Sequence, residues 1–535
     1  MSAWSSHLLI LPIVLPLAAG ALMLLLDPGR HLAKTAIGLV STVGQFAVAV
    51  MMLRIADAGI AQVGVYRLGD WPALFGIVLA VDRLSAAMLL LTSILSLAAL
   101  LFSLARWQRA GMHFQPLFQF LLMGLNGAFL TGDLFNLFVF FEVLLAASYG
   151  LALHGSGIAR VRAGLQYIAV NLMASMLFLI GVSLIYGMAG TLNMAELAIR
   201  IPAVPPENRM LLEAGAAILG IAFLVKAGMW PLCFWLPTTY AAAAAPVAAV
   251  FAIMTKVGVY VVLRLWLLFF GHDAGAAGFG GPVLLFGGIA TIVFGAVGVL
   301  ASQDGRHLVA FSVLVSSGTL LAAIGTGQPA VTGGGLFYLA SSTLAIGAFF
   351  LLVELVDRDR DAYADILAVT MEAGGWEDED EKEEDAEIGI GVPATMTVLG
   401  ACFLACALVV AGLPPLSGFI GKLALLDGIL RQPQLPASAW VLVAVLVLSS
   451  LAALVALTRA GIRSFWLPLE RAAPRVGIVE LAPVLCLLLG CVTMTVEAGP
   501  VMRYLQATAD ERHAPRGYVT GVTAPAPAGE GSAAP

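Results

Sequence analysis

The sequence predicts an all-α polytopic membrane protein with about 14 transmembrane helices, two of them discontinuous. Hydrophobic residues make up 60% of the 535 residues and charged residues only 11%. The mean hydropathy of +0.97 exceeds what the core of a water-soluble protein requires. Apolar stretches recur along the chain, and prolines interrupt two of them. These observations place most of the chain in a lipid bilayer.

A spanning helix needs about 20 apolar residues to cross about 30 Å of hydrocarbon. This template predicts segments near residues 7–26, 33–53, 78–102, 114–131, 134–154, 161–187, 209–234, 245–270, 281–300, 306–327, 333–355, 393–430, 438–463 and 476–498. The first segment has no basic region before it and is long enough to span. We therefore interpret it as a membrane helix and not as a signal peptide.

Lysines and arginines in the short loops predict the orientation of the chain. They fall in alternate loops, at Arg30 and Lys34, Arg106 and Arg109, Arg160 and Arg162, Arg306, and Arg459, Arg463, Arg471 and Arg475. Those loops are predicted to be cytoplasmic, since positive charge is retained on that side. Both termini then lie outside, which in a bacterium means the periplasmic side of the inner membrane.

The formal net charge of -6 originates in one loop. Residues 371–388 hold ten acids and one lysine, so the rest of the chain is at +3 and offers no basic surface for nucleic acid. We interpret the acidic cytoplasmic loop 357–392 as a solvated tether; a docking surface for a basic partner or a cation-collecting patch is the alternative. Apolar and polar residues alternate over residues 57–72, and this pattern predicts a small hairpin. Residues 510–535 are rich in Ala, Pro and Gly, which predicts a disordered tail.

Prolines interrupt two otherwise apolar segments. Pro231 follows "LVKAGMW", and the pair Pro414 and Pro415 frees the helical carbonyls of Val410 and Ala411. Broken helices at related places in two halves are typical of transporters built from inverted repeats, with the binding site at the bilayer midplane. Two ordinary proline kinks are the alternative, because kinks are tolerated in membrane helices.

Four ionisable residues lie well inside predicted spanning segments: Glu142, Lys226, Lys256 and Lys422. Each such charge is disfavoured by about 2.5 to 3.5 kcal/mol at the centre of a membrane helix. One structural explanation is an ion pair between Glu142 and a lysine, with the other lysines reaching toward the interface. We favour a proton relay, because lysines near the bilayer centre cannot reach either interface.

The relay hypothesis assigns Glu142 the role of a switch. Burial disfavours a charged lysine, whereas a nearby carboxylate favours it, so pairing with Glu142 determines whether Lys226 holds a proton. The proton then passes to Lys256 and onward to Lys422 through water and hydroxyls near the two helix breaks. Serines that could line the second half are Ser312, Ser316, Ser317, Ser341 and Ser342, although single serines in membrane helices are often packing residues.

Cofactor chemistry is not predicted. The five cysteines show no CxxC spacing, and none of the seven histidines lies in the middle of a predicted segment. We therefore expect no metal, haem or iron–sulfur site in the membrane. The stretch "GFIGKLAL" lacks the first glycine and the Ser or Thr of a phosphate-binding loop, so direct use of ATP is not expected.

Three blocks carry a family resemblance: "LFNLFVFFEVLLAASYG", "KAGMWPLCFWLPTTYAAAAAPVAAVFAIMTKVGVYVVLR" and "LPPLSGFIGKLALL". Together they resemble the proton-translocating subunits shared by complex I and the Mrp-type (also called Pha) cation/proton antiporters, most closely the D-type antiporter subunits. The resemblance implies the following division of the chain: helices 1–3 in residues 1–113, inverted repeats of five helices in 114–270 and 281–463, and a last helix in 464–509.

The resemblance also implies roles for the buried charges. Glu142 and Lys226 become the charge pair, Lys256 the connecting lysine, and Lys422 the terminal lysine of the outlet half. Some complex I relatives carry a histidine where this chain has Ser316, so a hydroxyl or water must serve here. The terminal residue in the most similar complex I subunit is a glutamate, and Lys422 therefore favours the antiporter branch.

The function predicted from the resemblance is proton translocation in a hetero-oligomeric antiporter that exchanges Na+ or K+ for protons. The alternative is a proton-pumping membrane subunit of a complex I-like NADH–quinone oxidoreductase or membrane-bound hydrogenase. The two hypotheses use the same proton relay in opposite directions, so the channel residues discriminate poorly between them. A third hypothesis, a membrane scaffold, requires that all four buried charges be dispensable.

Overall fold

The structure is a computed structural model that describes residues 7–27, 29–58, 63–71, 76–107, 113–155, 157–271, 278–373, 394–432, 434–465 and 476–524, with residues 359–373 described by their backbone. Most of the described residues lie in α-helices. The helices of the first half are α1 (Leu11–Leu25), α2 (His31–Asp57), α3 (Arg83–Ala105), α4 (Phe114–Leu130), α5 (Leu134–Ala152), α6 (Ile158–Ala189), α7 (Met194–Arg200), α8 (Pro206–Ala227), α9 (Leu236–Ala242) and α10 (Ala245–Phe270). The second half contains α11 (Gly281–Ala301), α12 (Gly305–Gly325), α13 (Pro329–Ala373), α14 (Ala394–Ala411), α15 (Ser417–Leu430), α16 (Ala437–Phe465), α17 (Ile478–Val496), α18 (Ala498–His513) and α19 (Arg516–Thr523).

The predicted all-α membrane class is confirmed. In the described residues, 12 helices are long and apolar enough to cross a bilayer, and two shorter apolar helices, α1 and α4, coincide with the first and fourth predicted segments. Most predicted boundaries agree within a few residues, because apolar length alone defines a spanning helix. The number of crossings, their orientation and the assignment of repeats remain predictions.

A two-stranded antiparallel sheet lies between α2 and α3. Strand β1 (Gly64–Arg67) falls in the predicted hairpin region, but its partner β2 (Val78–Val81) lies beyond it, at the predicted start of the third segment. Every residue of β2 is buried. The apolar stretch at 78–81 therefore forms a covered strand, and helix α3 begins only at Arg83.

Helices α11 and α12 approach closely because glycines face each other across the contact. A Cβ atom at Gly288 would lie 2.4 Å from the backbone nitrogen of Ala322, and one at Gly318 would lie 2.8 Å from the carbonyl oxygen of Gly288. Both are closer than non-bonded atoms approach. Small residues are a common way for membrane helices to pack backbone against backbone.

A buried charge cluster fixes the C-terminal end of the chain. Asp82 accepts a bond from Arg264 at 2.5 Å and lies 3.2 Å from an Arg512 nitrogen, and all three side chains are at most 5% exposed. The ring of Tyr518 lies against both guanidinium groups, at 5.0 and 5.4 Å. Asp82 also caps α3 by accepting from the amide of Ser85.

This cluster corrects the predicted disordered tail. Residues 510–524 belong to the end of α18 and to α19, since Arg512 and Tyr518 are anchored against Asp82 and Arg264. Composition alone could not indicate these tertiary contacts. The remaining tail residues, 525–535, lie outside the described part of the chain.

The predicted acidic loop 357–392 also requires a correction. Helix α13 continues to Ala373, because residues 357–373 contain neither glycine nor proline to end it. Its last described side chain, Arg358, donates to Glu480 of α17 at 2.6 Å. Residues 374–393, which hold most of the acidic run, lie outside the described residues.

The Gly288→Val substitution tests the close contact between α11 and α12. We expect a loss of stability of about 1–3 kcal/mol or more, because the added side chain meets backbone that cannot move aside. The measurement is the thermal unfolding midpoint of the purified protein in detergent. Gly187→Val in α6 is the matched control, since nothing lies within 4 Å of the added Cβ. Equal midpoints for both variants would contradict this packing.

Asp82→Asn tests the buried charge cluster. The substitution leaves two buried guanidinium groups without a counter-charge, and we expect a loss of about 3–5 kcal/mol. Asp57→Asn is the control. The Asp57 side chain is 64% exposed and lies 3.9 Å from an Arg83 nitrogen, and an exposed ion pair of this kind contributes about 0–1 kcal/mol to stability. Chemical denaturation of the two variants in detergent gives the comparison, and a stable Asp82→Asn protein argues against the cluster.

Candidate functional site

The first helix break lies between α8 and α9. Helix α8 ends at Ala227, and Gly228 follows in the left-handed region with φ +72°. The amides of Gly228 and Met229 both bond the carbonyl of Leu224, which closes the end of the helix. Pro231 lies in the non-helical stretch that follows. The amide of Trp230 is held by the Thr291 hydroxyl at 2.8 Å, so α11 supports the break.

The second break has the same backbone pattern. Helix α14 ends at Ala411, and Gly412 follows with φ +76°. The amides of Gly412 and Leu413 both bond the carbonyl of Leu408. Pro414 and Pro415 come next, and α15 begins at Ser417. The two interruptions thus share one local structure: each helix ends at an alanine, a glycine in the left-handed region follows, and proline comes shortly after.

Lys226 occupies the last turn of α8, directly before the first break. Its side chain is 6% exposed, and its ammonium nitrogen has no hydrogen-bond partner among the described residues. The nitrogen lies 4.9 Å from the centroid of the Phe141 ring, within the range of a cation–π contact. A buried ammonium with so little compensation is poorly stabilised in the charged form.

Glu142 follows Phe141 on α5 but is bonded elsewhere. Its carboxylate accepts a hydrogen bond of 2.5 Å from the Ser175 hydroxyl of α6, and the residue is only partly buried. Among the described residues, no ion pair with an N···O distance of 4.0 Å or less joins Glu142 to Lys226, whose ammonium nitrogen has no hydrogen-bond partner there. The predicted charge pair is therefore open in this structure, with the carboxylate held by a serine that the sequence does not point to.

Lys256 lies in the middle of α10 and is fully buried. Its ammonium donates to the Ser316 hydroxyl at 2.8 Å and, more weakly, to Ser317 at 3.4 Å. The Ser316 hydroxyl is in turn 2.9 Å from that of Ser342 on α13. Three helices are thus joined by one row of hydroxyls that starts at the lysine.

The other two predicted serines have different surroundings. Ser312 donates to the carbonyl of Leu308 in its own helix, so it does not extend the row directly. Ser341 pairs with Ser417 at the start of α15, at 2.8 Å. Of the five serines, Ser316, Ser317 and Ser342 are the ones that connect to Lys256.

Lys422, on α15, lies beside the second break. Its ammonium donates to the carbonyls of Ala411 at 2.9 Å and Val410 at 3.3 Å, which are the two carbonyls that Pro414 and Pro415 are predicted to free. Ser450 of α16 accepts a third bond at 2.8 Å. All three ammonium protons therefore have acceptors, in contrast to Lys226.

A small cavity separates the hydroxyl row from Lys422. It measures about 20 Å³ and is lined by Ser342, Lys422, Ser312, Tyr338 and Ser449 among others. A cavity of about 10–15 Å³ can hold one water molecule if polar partners surround it. The cavity therefore has room for one water molecule between Ser342 and Lys422.

Lys226 and Lys256 are on neighbouring helices that touch at a glycine. A Cβ atom at Gly258 would lie 2.6 Å from the backbone nitrogen of Ala227, so α10 packs directly on the end of α8. In the described residues no hydrogen bond joins the two lysines. The same residues contain no cluster of three or more His, Cys, Asp or Glu that could hold a metal ion.

Comparison with known proteins supports the sequence resemblance. Residues 131–452 match the family described as NADH:quinone oxidoreductase/Mrp antiporter, TM, and this range includes both breaks and all four buried charges. The D-type subunit of a probable K(+)/H(+) antiporter of Rhizobium meliloti is 59% identical, over 96% of this chain and 97% of that protein. The D-type subunit of the Na(+)/H(+) antiporter of Alkalihalophilus pseudofirmus is 32% identical, over 97% and 99%.

A solved structure has the same fold. A chain of the Mrp complex from Dietzia sp. DQ12-45-1b superposes with a TM-score of 0.81 at 25% identity, over 97% of this chain and 100% of that one. The agreement extends over nearly the full length of both chains. This chain therefore belongs to the NADH:quinone oxidoreductase/Mrp antiporter family of membrane subunits.

Proposed function

We propose that this chain is the proton-translocating subunit of a multisubunit Na+(K+)/H+ antiporter in the bacterial cell membrane. The observation that carries the proposal is the hydroxyl row from Lys256 through Ser316 to Ser342, which ends at the cavity of Lys422. A row of exchangeable protons that leads from one buried ammonium group toward another is what proton transfer requires.

The open pair between Glu142 and Lys226 provides a switch at the head of this row. While the carboxylate is bonded to Ser175, the Lys226 ammonium has the Phe141 ring beside it and no hydrogen-bond acceptor among the described residues, so its charged form is less favoured than in a direct ion pair. When the carboxylate turns to Lys226, the charged form is favoured and a proton is taken up. Alternation between these two positions loads and unloads the lysine.

The names of the relatives favour the antiporter over the redox alternative. The two relatives compared above are antiporter subunits, named for K+ in one case and for Na+ in the other. We infer that this chain likewise acts within a hetero-oligomer that exchanges one of these cations for protons, as a transporter subunit and not as an enzyme. The described residues contain no cluster of carboxylates that would bind the cation.

Alanine at Glu142, Lys226 or Lys422 should abolish cation-driven proton flux while the complex still assembles. Each substitution removes a proton-carrying group for which the neighbouring hydroxyls cannot substitute. The measurement is Na+- or K+-dependent dissipation of a proton gradient in inverted membrane vesicles. Lys34→Ala is the control, because Lys34 is a buried lysine at the start of α2, outside the row. Glu142→Asp should retain part of the flux, and wild-type flux in all three alanine variants would refute the relay.

Ser342→Ala should slow the flux by about tenfold, which corresponds to about 1.4 kcal/mol in the barrier. The substitution removes the hydroxyl that joins Ser316 to the cavity of Lys422. Thr343→Val is a matched control on the same helix turn, since the Thr343 hydroxyl bonds only the Leu339 carbonyl of its own helix. Equal flux in these two variants, with equal amounts of complex in the membrane, would exclude Ser342 from the path.

A further inference from the structure

Two cavities in the second half are bounded by the same three helices, α12, α13 and α16. One is the cavity of about 20 Å³ that contains Lys422. The other, of about 30 Å³, lies at the end of the protein that carries Arg459 and Arg463, which is predicted to be cytoplasmic. We call this second cavity the vestibule. It has no part in the relay described above.

The cavity linings form one continuous stripe on each helix. Along α13 the stripe consists of Tyr338, Ser342 and Ile346 at the Lys422 cavity, then Phe349, Val353 and Val356 at the vestibule. Steps of three or four residues keep side chains on one helix face. The same succession runs from Ser312 to Leu308 on α12 and from Ala453 to Ala456 on α16. The two cavities therefore lie in line between the same helices, about one helical turn of 5.4 Å apart, and we call this line the groove.

Apolar side chains close the groove at that turn. The Phe349 ring is 1% exposed and meets the Phe403 ring edge to face at 5.4 Å. Phe403 in turn contacts Phe465 at 5.5 Å, and Leu308 fills the side formed by α12. A short apolar constriction of this kind blocks water while closed and admits it when widened slightly.

The outer end of the groove is polar. Asp304 bonds the His307 ring at 2.8 Å, and Arg459 and Arg463 donate to backbone carbonyls at the end of α11 and just after it. Ser302, Gln303 and Asp357 complete this part of the lining. Charged and amide groups at the mouth favour water up to the apolar turn.

We propose that this groove is an access route by which water and protons reach Lys422 from the end of the protein carrying Arg459 and Arg463, and that Phe349 closes it. The proposal rests on the proposed function, in which Lys422 carries a proton. It adds a route from the predicted cytoplasmic side to the lysine that the family resemblance places in the outlet half. Opening requires a displacement of the Phe349 ring from the contact with Phe403, because the cavities on either side already exist.

Site-directed labelling tests the route without relying on transport. Ser449→Cys places a thiol in the Lys422 cavity, where Ser449 is 3% exposed. The assembled complex in vesicles of either orientation is treated with a membrane-impermeant trimethylammonium methanethiosulfonate, and modification at position 449 is quantified by peptide mass spectrometry. The reporter is combined with Phe349→Ala or, as a control, with Phe350→Ala. Phe350 has the same size and neighbours Phe349 but packs toward Tyr240, at 6.4 Å between ring centroids.

We expect Phe349→Ala to accelerate labelling of the 449 thiol by about tenfold or more, from the predicted cytoplasmic side only, and Phe350→Ala to leave it unchanged. Val356→Cys, which places a thiol in the vestibule, should be labelled from that same side when it is the sole substitution. The proposal is overturned if Phe349→Ala brings no acceleration, if labelling is equal from both sides, if Phe350→Ala has the same effect, or if the thiol at Val356 is protected. Because labelling needs no proton flux, these outcomes are independent of the exchange assays that test the relay.

Discussion

The constraint that governs this structure is the cost of holding an ammonium group in hydrocarbon. Lys226, Lys256 and Lys422 offset this cost to different degrees. Lys422 has three oxygen acceptors, Lys256 has two serines, and Lys226 has one aromatic face and no hydrogen-bond acceptor among the described residues. The number of hydrogen-bond acceptors around the ammonium group thus rises from the first break toward the second.

The helix breaks are the means by which the fold supplies those acceptors. The carbonyls in the interior of a helix are used internally, whereas those at a helix end are free; the break after Ala411 places two such carbonyls beside the Lys422 side chain. Gly412 is required for a further reason: a Cβ there would lie 2.5 Å from the Lys422 stem. The first break has the same backbone ending but leaves its lysine before the interruption. The same local geometry therefore gives a compensated lysine in one half and an uncompensated one in the other.

The sequence predicts those features that depend on composition along the chain, and fails where distant residues meet. Apolar length locates α10 at its observed bounds, and proline chemistry identifies the carbonyls of Val410 and Ala411. The sequence could not indicate that Glu142 bonds Ser175 and not Lys226. Both arrangements are conformations of the same sequence. The buried cluster of Asp82, Arg264 and Arg512 also escapes prediction. Asp82 and Arg264 lie near segment ends, where a charge is usually solvated, and Arg512 falls in the predicted disordered tail.

The Asp82 cluster has a consequence for biosynthesis. Arg264 supplies its charge to Asp82 early, but Arg512 and Tyr518 lie near the end of the chain. At about 5–20 residues per second, they leave the ribosome tens of seconds after Asp82. The buried cluster around Asp82 is therefore incomplete until residues 512–518 have been synthesised. A chain truncated before α18 would leave Asp82 with one guanidinium group in place of two.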